Sequence, residues 1–327
     1  MRALITGGAG YIGSHTCKAL AEQGHDLLVY DNLSTGHRSF ARFGEFVHGD
    51  ILDTQNLRNC FRRWHPDVVI HFAALINVGE SVVNPGKYFR NNVVGTLSIL
   101  EAMRDEGIEN IVVSGTCAVY GQPKKMPIGE DQPTAPINPY GASKLFMERM
   151  LADFERAHDI KWASLRYFNA AGSDPDGEIG ELHTPETHLI PRVAMAALGL
   201  IPEIEIFGND YPTPDGTCIR DYIHVDDLAS AHIRAANHLM ERRESLAANL
   251  GTGHGASVRQ IIDMLGQISG KQILEKIRDR RAGDPAILVA DASHAAQMLD
   301  WKPERSLQNM LQDAWNFLSA NLGQISH

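Results

Sequence analysis

Cysteine is scarce. Cys17, Cys60, Cys117 and Cys218 are the only four in 327 residues, and no two of them form a C-x-x-C pair. A chain of this length needs no disulfide staples to complete its core, so the expectation is a reduced, cytoplasmic protein. Long apolar runs are missing too, and nothing approaches the roughly 18 uninterrupted residues of a membrane span. The first strand-like segment starts at the N-terminus, which leaves no place for the charged and apolar regions of a signal peptide. Positive charge is in deficit: 30 Lys+Arg against 40 Asp+Glu leave a formal net charge of −10. A nucleic-acid or anionic-membrane binder carries a basic field, and neither partner is expected here. No set of Cys and His stands at metal-ligand spacing. The 15 histidines, His183 and His188 among them, therefore read as loop and surface residues, and no metal is expected.

What is present is the balance of a globular protein, 43% hydrophobic and 21% charged, which excludes wholesale disorder. At roughly 150 residues per domain, the length suits two domains. The first half alternates apolar runs with amphipathic segments. Strands are expected at Arg2–Thr6, Asp26–Tyr30, Glu45–Val47, Val68–Phe72, Ile111–Ser114 and Lys161–Arg166. Helices are expected at Ser14–Gln23, Thr54–Trp64, Asn91–Asp105 and Tyr140–His158. Strands spaced by helices pair in parallel through right-handed crossovers, giving a doubly wound α/β sheet. Strand runs that are apolar throughout fit a sheet covered on both faces. Around Ala170–Gly180 the composition shifts to Gly, Asp, Pro and Glu, the best candidate for a domain boundary.

Directly after the first strand, Gly7, Gly10 and Gly13 form G-x-x-G-x-x-G and open the first helix. Glycines there permit a tight turn, let backbone approach a pyrophosphate and allow close helix–strand packing, with the anion on the helix N-terminus. Asp31 ends the second strand, 18 residues beyond Gly13, where a carboxylate accepts hydrogen bonds from an adenosine ribose. Asp31 is also a natural turn former in Asp-Asn-Leu-Ser-Thr-Gly. Glycines, context and acid together point to a Rossmann-type dinucleotide site. A carboxylate repels a 2′-phosphate, so NAD is expected rather than NADP.

Tyr140 and Lys144 stand at i, i+4, one turn apart on one helix face. A free phenol titrates near 10, and bringing it to about 7 takes roughly 4 kcal/mol. A neighbouring ammonium and a cationic nicotinamide ring supply charge of the right sign. Thr116, just past the strand Ile111–Ser114, lies where such sheets present active-site residues. Its hydroxyl suits a hydrogen bond to a reacting oxygen. Upstream hydroxyl, Y-x-x-x-K and dinucleotide site together resemble the short-chain dehydrogenase/reductase superfamily.

The similarity narrows further. GGAGYIGSH, DNLSTGH, HFAAL…VGESV, NNVVGTL, CAVYG, NPYGASK, LRYFNAAG, ETHLIPRV, FGNDYPTPDGTCIRDYIHVDDLA, NLGTG and RRAGDPA…VADAS run in order from Met1 to about Trp301. Together they resemble the UDP-glucose 4-epimerase family. That resemblance implies an NAD-binding Rossmann domain over residues 1–169. A smaller α/β substrate domain would span 170–327, with a segment near 221–251 returning to the first. It implies interconversion of UDP-galactose and UDP-glucose through a 4-keto sugar, with Tyr140 as base, Thr116 assisting, and Lys144 lowering the phenol pKa and holding the nicotinamide ribose. NAD would touch Tyr11, Ile12, Asp31, Asn32, Ser34, Thr35, Gly36, Asp50, Ile51, Phe72, Ala73, Ala74, Asn91, Lys144 and Phe168. The UDP-sugar would touch Thr116, Tyr140, Asn169, Leu189, Phe207, Arg220, Arg281 and Asp284. A homodimer is implied, through a four-helix bundle built from the helices Asn91–Asp105 and Tyr140–His158.

Guanidinium forks suit diphosphate, so Arg220 and Arg281 make chemical sense as clamps. Phe207 suits stacking on uracil and Asp284 suits ribose hydroxyls. Each also has a plain alternative: an Arg220–Asp221 ion pair, a core phenylalanine, an Asp-Pro turn. Three positions depart from the family pattern. Gly115 replaces a hydroxyl residue, which implies looser packing, and Ile76 replaces a lysine that would reach the cofactor phosphates. Leu288 stands where bulk decides whether an N-acetylated sugar fits. Epimerases of UDP-N-acetylglucosamine, UDP-xylose/arabinose or UDP-glucuronate remain alternatives, as does a non-catalytic NAD-binding regulator. A 4,6-dehydratase would need an Asp-Glu pair after the hydroxyl residue, where this chain has Cys117-Ala118.

Overall fold

A computed structural model describes residues 1–281 and 283–325, without the side chains of 324 and 325. The chain begins with β1 (Arg2–Thr6), α1 (Tyr11–Glu22), β2 (Asp26–Asp31), β3 (Glu45–His48), α2 (Thr54–Trp64) and β4 (Val68–His71). Three short helical pieces follow, α3 (Val78–Val83), α4 (Pro85–Tyr88) and α5 (Gly95–Glu106), then β5 (Asn110–Ser114), α6 (Pro139–His158) and β6 (Lys161–Tyr167). The rest comprises β7 (Asn169–Ala171), α7 (Leu189–Ala197), β8 (Ile204–Phe207), β9 (Ile219–His224), α8 (Val225–Arg242) and β10 (Leu246–Leu250). Then come β11 (Gly255–Ser257), α9 (Val258–Ser269), β12 (Glu275–Arg278), β13 (Ile287–Leu288), α10 (Ser293–Leu299), α11 (Leu307–Ala320) and α12 (Leu322–Ile325).

Seven parallel strands form the main sheet in the order β10-β6-β5-β4-β1-β2-β3. This is the doubly wound Rossmann order with one strand added, and the chain reverses direction between β1 and β4. Helices must cover both faces of such a sheet, and they do. Leu20, Leu228, Leu239 and Trp301 pack on one side; Leu57, Phe61, Ile99, Met103 and Leu151 pack on the other. Ligands in open α/β sheets bind at the carboxyl ends of the strands, at this point of reversal.

A second body gathers around β9, which pairs antiparallel with β11 and parallel with β7 and β13. Nearby, β8 pairs with β12. Their core is built by Ile190, Val193, Ile261, Leu265, Leu311 and Phe317 from α7, α9 and α11. The chain passes from this body into α8, which packs on α1, and then into β10 beside β6.

Two boundaries differ from expectation for physical reasons. α1 starts at Tyr11 rather than Ser14, because Gly13 belongs to the helix itself. The expected helix Asn91–Asp105 is the end of a longer helical run that opens into a π-helical segment at Phe89–Val94. Buried Asn92 sits in that widened turn. Its amide accepts from Leu75 N (2.9 Å) and donates to Leu75 O (3.1 Å) and Ser143 Oγ (3.0 Å), tying loop and α6 together. π-segments of this kind concentrate at functional sites.

Candidate active site

The loop between β1 and α1 carries the glycines where the sheet reverses. A Cβ on Gly13 would lie 2.2 Å from Gly7 O, so only glycine lets helix and loop close up. Gly10 caps α1 in extended conformation without any side-chain hydrogen bond, which leaves the helix N-terminus to an anion. Asp31, 7% exposed, accepts from Ala9 N (2.9 Å) and Leu33 N (2.7 Å). The acid therefore holds the glycine loop and its own turn, and two oxygens retain lone pairs for a ribose. Asn32 donates to Asp50 Oδ2 (3.0 Å) and its carbonyl oxygen accepts from Ser34 N, so this rim is already braced. Gly36 backs onto Ala9, and Ile51 packs under Gly95. Phe72, Ala73 and Ala74 follow β4, with Phe72 and Ala73 both donating backbone N–H groups to Thr6 O. Asn91 Nδ2 donates to Asn92 Oδ1. Ile12 and Phe72 pack against the sheet core, and buried Phe168 packs with Val119, Tyr120 and Leu145. Tyr11 is turned away from the crevice: its hydroxyl donates to Gly172 O (2.6 Å), leaving its backbone rather than its phenol for an anion.

The reactive groups meet at the next strand. Asn138 caps α6 by accepting from Gly141 N (2.8 Å), and Pro139 sets the first turn, so Tyr140 and Lys144 project from the helix start. Thr116 caps the 3-10 turn Cys117–Tyr120 and hydrogen-bonds toward Tyr140. Lys144, 2% exposed, donates to Ser114 O (2.9 Å). Burial dominates both ionisable groups. It pushes the Tyr140 phenol up to about 12, with the Thr116 hydrogen bond opposing, and brings the Lys144 ammonium down to about 8. In the bare protein burial outweighs every other influence on the phenol, and any lowering by Lys144 is overridden. Buried His71 is held near 3 by desolvation and the neighbouring lysine, hence neutral, and bridges Thr6 and Thr96.

Sequence reasoning missed what surrounds these groups. Glu148, one turn beyond Lys144, takes Ser164 Oγ (2.8 Å) and a bidentate Arg166 (2.8 and 2.6 Å). Arg166 also donates to Tyr120 OH, which donates to Asn249 (2.7 Å). This buried chain fixes α6 to β6 and β10. Gly115, expected to loosen packing, does the reverse: a Cβ there would lie 2.8 Å from Leu165 O, so β5 and β6 come together only over glycine.

Across the crevice, Arg220 on β9 pairs with Asp284 rather than Asp221. Asp221 is fully buried and accepts from Thr252, Gly253 and Ala290, clamping the NLGTG loop to β9. Arg281 lies 4.0 Å over the Phe207 ring. Asn169 opens β7 and donates to Asp221 O (3.0 Å); Leu189 opens α7. Leu288 pairs with Arg220 in the sheet and packs beside Tyr120 and Phe168. Arg220, Asp284 and Leu288 thus meet around β9 and β13, and Arg281 meets Phe207 at the end of β8. Finally, His183 and His188 are loop residues as expected, but they are not alone. With Glu181 and Glu186 they bring four ligand-type atoms within 4.8 Å of one another. A count of Cys and His alone overlooked the carboxylates.

A nucleotide crevice with a phenol, an ammonium and a hydroxyl at its floor defines a class, and comparison agrees. Residues 3–251 match the model of the NAD dependent epimerase/dehydratase family, and the chain belongs to that family. It is 48% identical over 316 residues to UDP-glucose 4-epimerase of Rhizobium meliloti, covering 97% of this chain and 96% of that protein. It is also similar to the crystal structure of UDP-glucose 4-epimerase from Brucella ovis in complex with NAD. There the TM-score is 0.95 at 52% identity, over 97% and 98% of the two chains. The enzyme from Stenotrophomonas maltophila, with bound NAD and formylated UDP-arabinopyranose, gives 0.95 at 42% identity over 98% of each.

Proposed function

We propose that the protein interconverts UDP-galactose and UDP-glucose at C4, using NAD it carries. The observation behind this reading is the placement of Tyr140 and Lys144 one turn apart on α6, with the Thr116 hydroxyl beside the phenol and an uncapped helix start at α1. The cradle fits NAD: a glycine loop with no room for side chains, an uncapped helix N-terminus and Asp31 at the end of β2. NAD held there supplies a hydride acceptor and donor, and its cationic ring supplies the charge that favours the Tyr140 phenolate. Tyr140 takes the proton from the sugar 4-hydroxyl as C4 is oxidised and returns it when C4 is reduced on the opposite face. Thr116 steadies the reacting oxygen. Lys144 adds positive charge and holds the cofactor ribose. Arg220 and Arg281 exchange Asp284 and Phe207 for the diphosphate, leaving Phe207 to stack on uracil and Asp284 to take ribose hydroxyls; Asn169 and Leu189 complete the wall.

The division into residues 1–169 and 170–327, with 221–251 shared, belongs to this proposal, as does a homodimer. Phe146 on α6 is 46% exposed and Val94 beside α5 is 47% exposed, with Phe89 edge-on to Phe146. Light scattering then gives twice the chain mass for the wild type and one mass for Phe146→Asp. No helix among the described residues is long and apolar enough to cross a membrane. With all four cysteines free, the reading is of a cytoplasmic enzyme. The deciding experiment is a panel of UDP-galactose, UDP-N-acetylgalactosamine, UDP-arabinose and UDP-galacturonate without added NAD, read by nucleotide-sugar chromatography. Conversion of UDP-galactose supports the proposal; a protein inert on every member refutes it.

A further inference from the structure

The loop entering α7 folds four ligating side chains onto one point. Glu181 and Glu186 are each 6% exposed at the side chain, and His183 is 21% exposed. His188, the residue before α7, directs Nδ1 inward, 2.8 Å from Glu181 Oε1 and 2.9 Å from Glu186 Oε1. His183 Nδ1 stands 3.3 Å from Glu181 Oε1 and 3.5 Å from Glu186 Oε2. Two buried carboxylates facing one another require a cation between them or beside them.

Two readings of the quartet compete: a clasp of histidines hydrogen-bonded to carboxylates, or a cation site. His188 suits either. His183 fits the clasp less well: its buried Nδ1 stands 3.3 and 3.5 Å from the two carboxylates and completes no well-formed hydrogen bond. Geometry favours the cation. Four ligands at the zinc–nitrogen and zinc–oxygen distance of about 2.1 Å stand roughly 3.4 Å from one another in a tetrahedron. The four nitrogen–oxygen separations, 2.8 to 3.5 Å, bracket or approach that edge, and all four ligand atoms lie within 4.8 Å. Movements of a few tenths of an ångström complete the polyhedron. Two imidazole nitrogens exclude calcium and magnesium, which take oxygen, and favour zinc. Charge closes either way: two carboxylates balance one divalent ion held by neutral imidazoles, or two imidazolium cations when no ion is bound.

We propose that Glu181, His183, Glu186 and His188 form a tetrahedral site for a divalent transition-metal ion of zinc type, with a structural role. The ion would staple the loop at two ends. Beyond His188 lies Leu189 and α7, on the sugar side. His183 stacks edge-on to Tyr11, the first residue of α1, with ring centroids 6.4 Å apart. Four protein ligands leave no open position, as in structural rather than catalytic zinc sites. The proposal does not depend on which sugar is turned over.

The test uses untagged full-length protein stripped with chelator and dialysed. Zn²⁺ titrated by calorimetry should bind at one equivalent per chain, with a rise in Tm that saturates at the same ratio. Co²⁺ in its place should give the intense visible bands of tetrahedral coordination. Glu186→Gln and His183→Gln, checked for native circular dichroism, should each weaken Zn²⁺ binding at least about tenfold, since losses of that size follow even from disturbing outer-shell partners. Binding unchanged in both variants, a weak octahedral Co²⁺ spectrum, or no binding at one equivalent would each overturn the site. If either variant fails to fold, the Co²⁺ spectrum of the wild type decides alone.

Discussion

The two walls of the crevice are made of different material. On the β1–α1 side the groups offered are mostly backbone: the uncapped start of α1 and the glycine loop. On the β9 side they are long side chains already engaged with one another, Arg220 with Asp284 and Arg281 with Phe207. Backbone donors are fixed by the fold and cost nothing further to orient. Paired side chains must exchange partners before a diphosphate is held. Under the proposed function, the first wall would keep the cofactor and the second would exchange the substrate.

Four measurements break or sharpen it. The largest effect belongs to the Tyr140 phenol. Tyr140→Phe should cut conversion of UDP-galactose by roughly 10²–10⁴, the usual worth of general acid–base catalysis, while bound NAD stays at wild-type level. Near-normal turnover would remove the phenol from the mechanism.

Next comes Lys144. Its folded pKa of about 8 lies below the ordinary 10.5, so the desolvated ammonium destabilises the fold at neutral pH. Below pH 8 that burden is complete, about 3 kcal/mol at about 1.4 kcal/mol per unit. It lessens from pH 8 to 10.5 as the folded lysine loses its proton before the unfolded one. Lys144→Met in NAD-free protein should therefore unfold at higher urea than wild type at pH 7, with the gap closing by pH 10.5, and should be inactive. A pH-independent gap would contradict the assignment.

Smaller again is Gly13→Ala, which drives a methyl into Gly7 O. Overpacking of this kind costs about 1–3 kcal/mol, and the variant should lose NAD on gel filtration while wild type keeps it. Retention of NAD would mean the first wall is softer than its geometry. The least severe is Arg220→Lys, where a point charge replaces a fork. KM for UDP-galactose should rise roughly tenfold with NAD content unchanged. Loss of NAD there would show that the walls are coupled.

The features legible in sequence are local ones. Gly7–Gly13 and Asp31 span one strand–helix–strand unit, and Tyr140 and Lys144 share one turn. The doubly wound order followed from the alternation of strands with helices. What stayed hidden lies far apart along the chain. Asn92 meets Leu75 and Ser143; Arg166 meets Glu148, Tyr120 and, through it, Asn249; Asp221 meets Thr252 and Ala290. No periodicity carries such pairings. The quartet at Glu181–His188 is a different kind of miss, since its residues are close in sequence but only the turn of the loop points them inward.

By itself the sequence determined the class of fold, the anion-binding turn, and the spacing of phenol and ammonium, because each is written within a few residues of backbone geometry. Only the tertiary structure decided the electrostatics. Burial placed the phenol near 12 and the lysine near 8, gave Arg220 to Asp284 instead of Asp221, and turned the Tyr11 hydroxyl onto Gly172. The reason is physical: a charge answers to the solvent it has lost and the partners within a few ångströms, and both are set by segments 30 to 161 residues away.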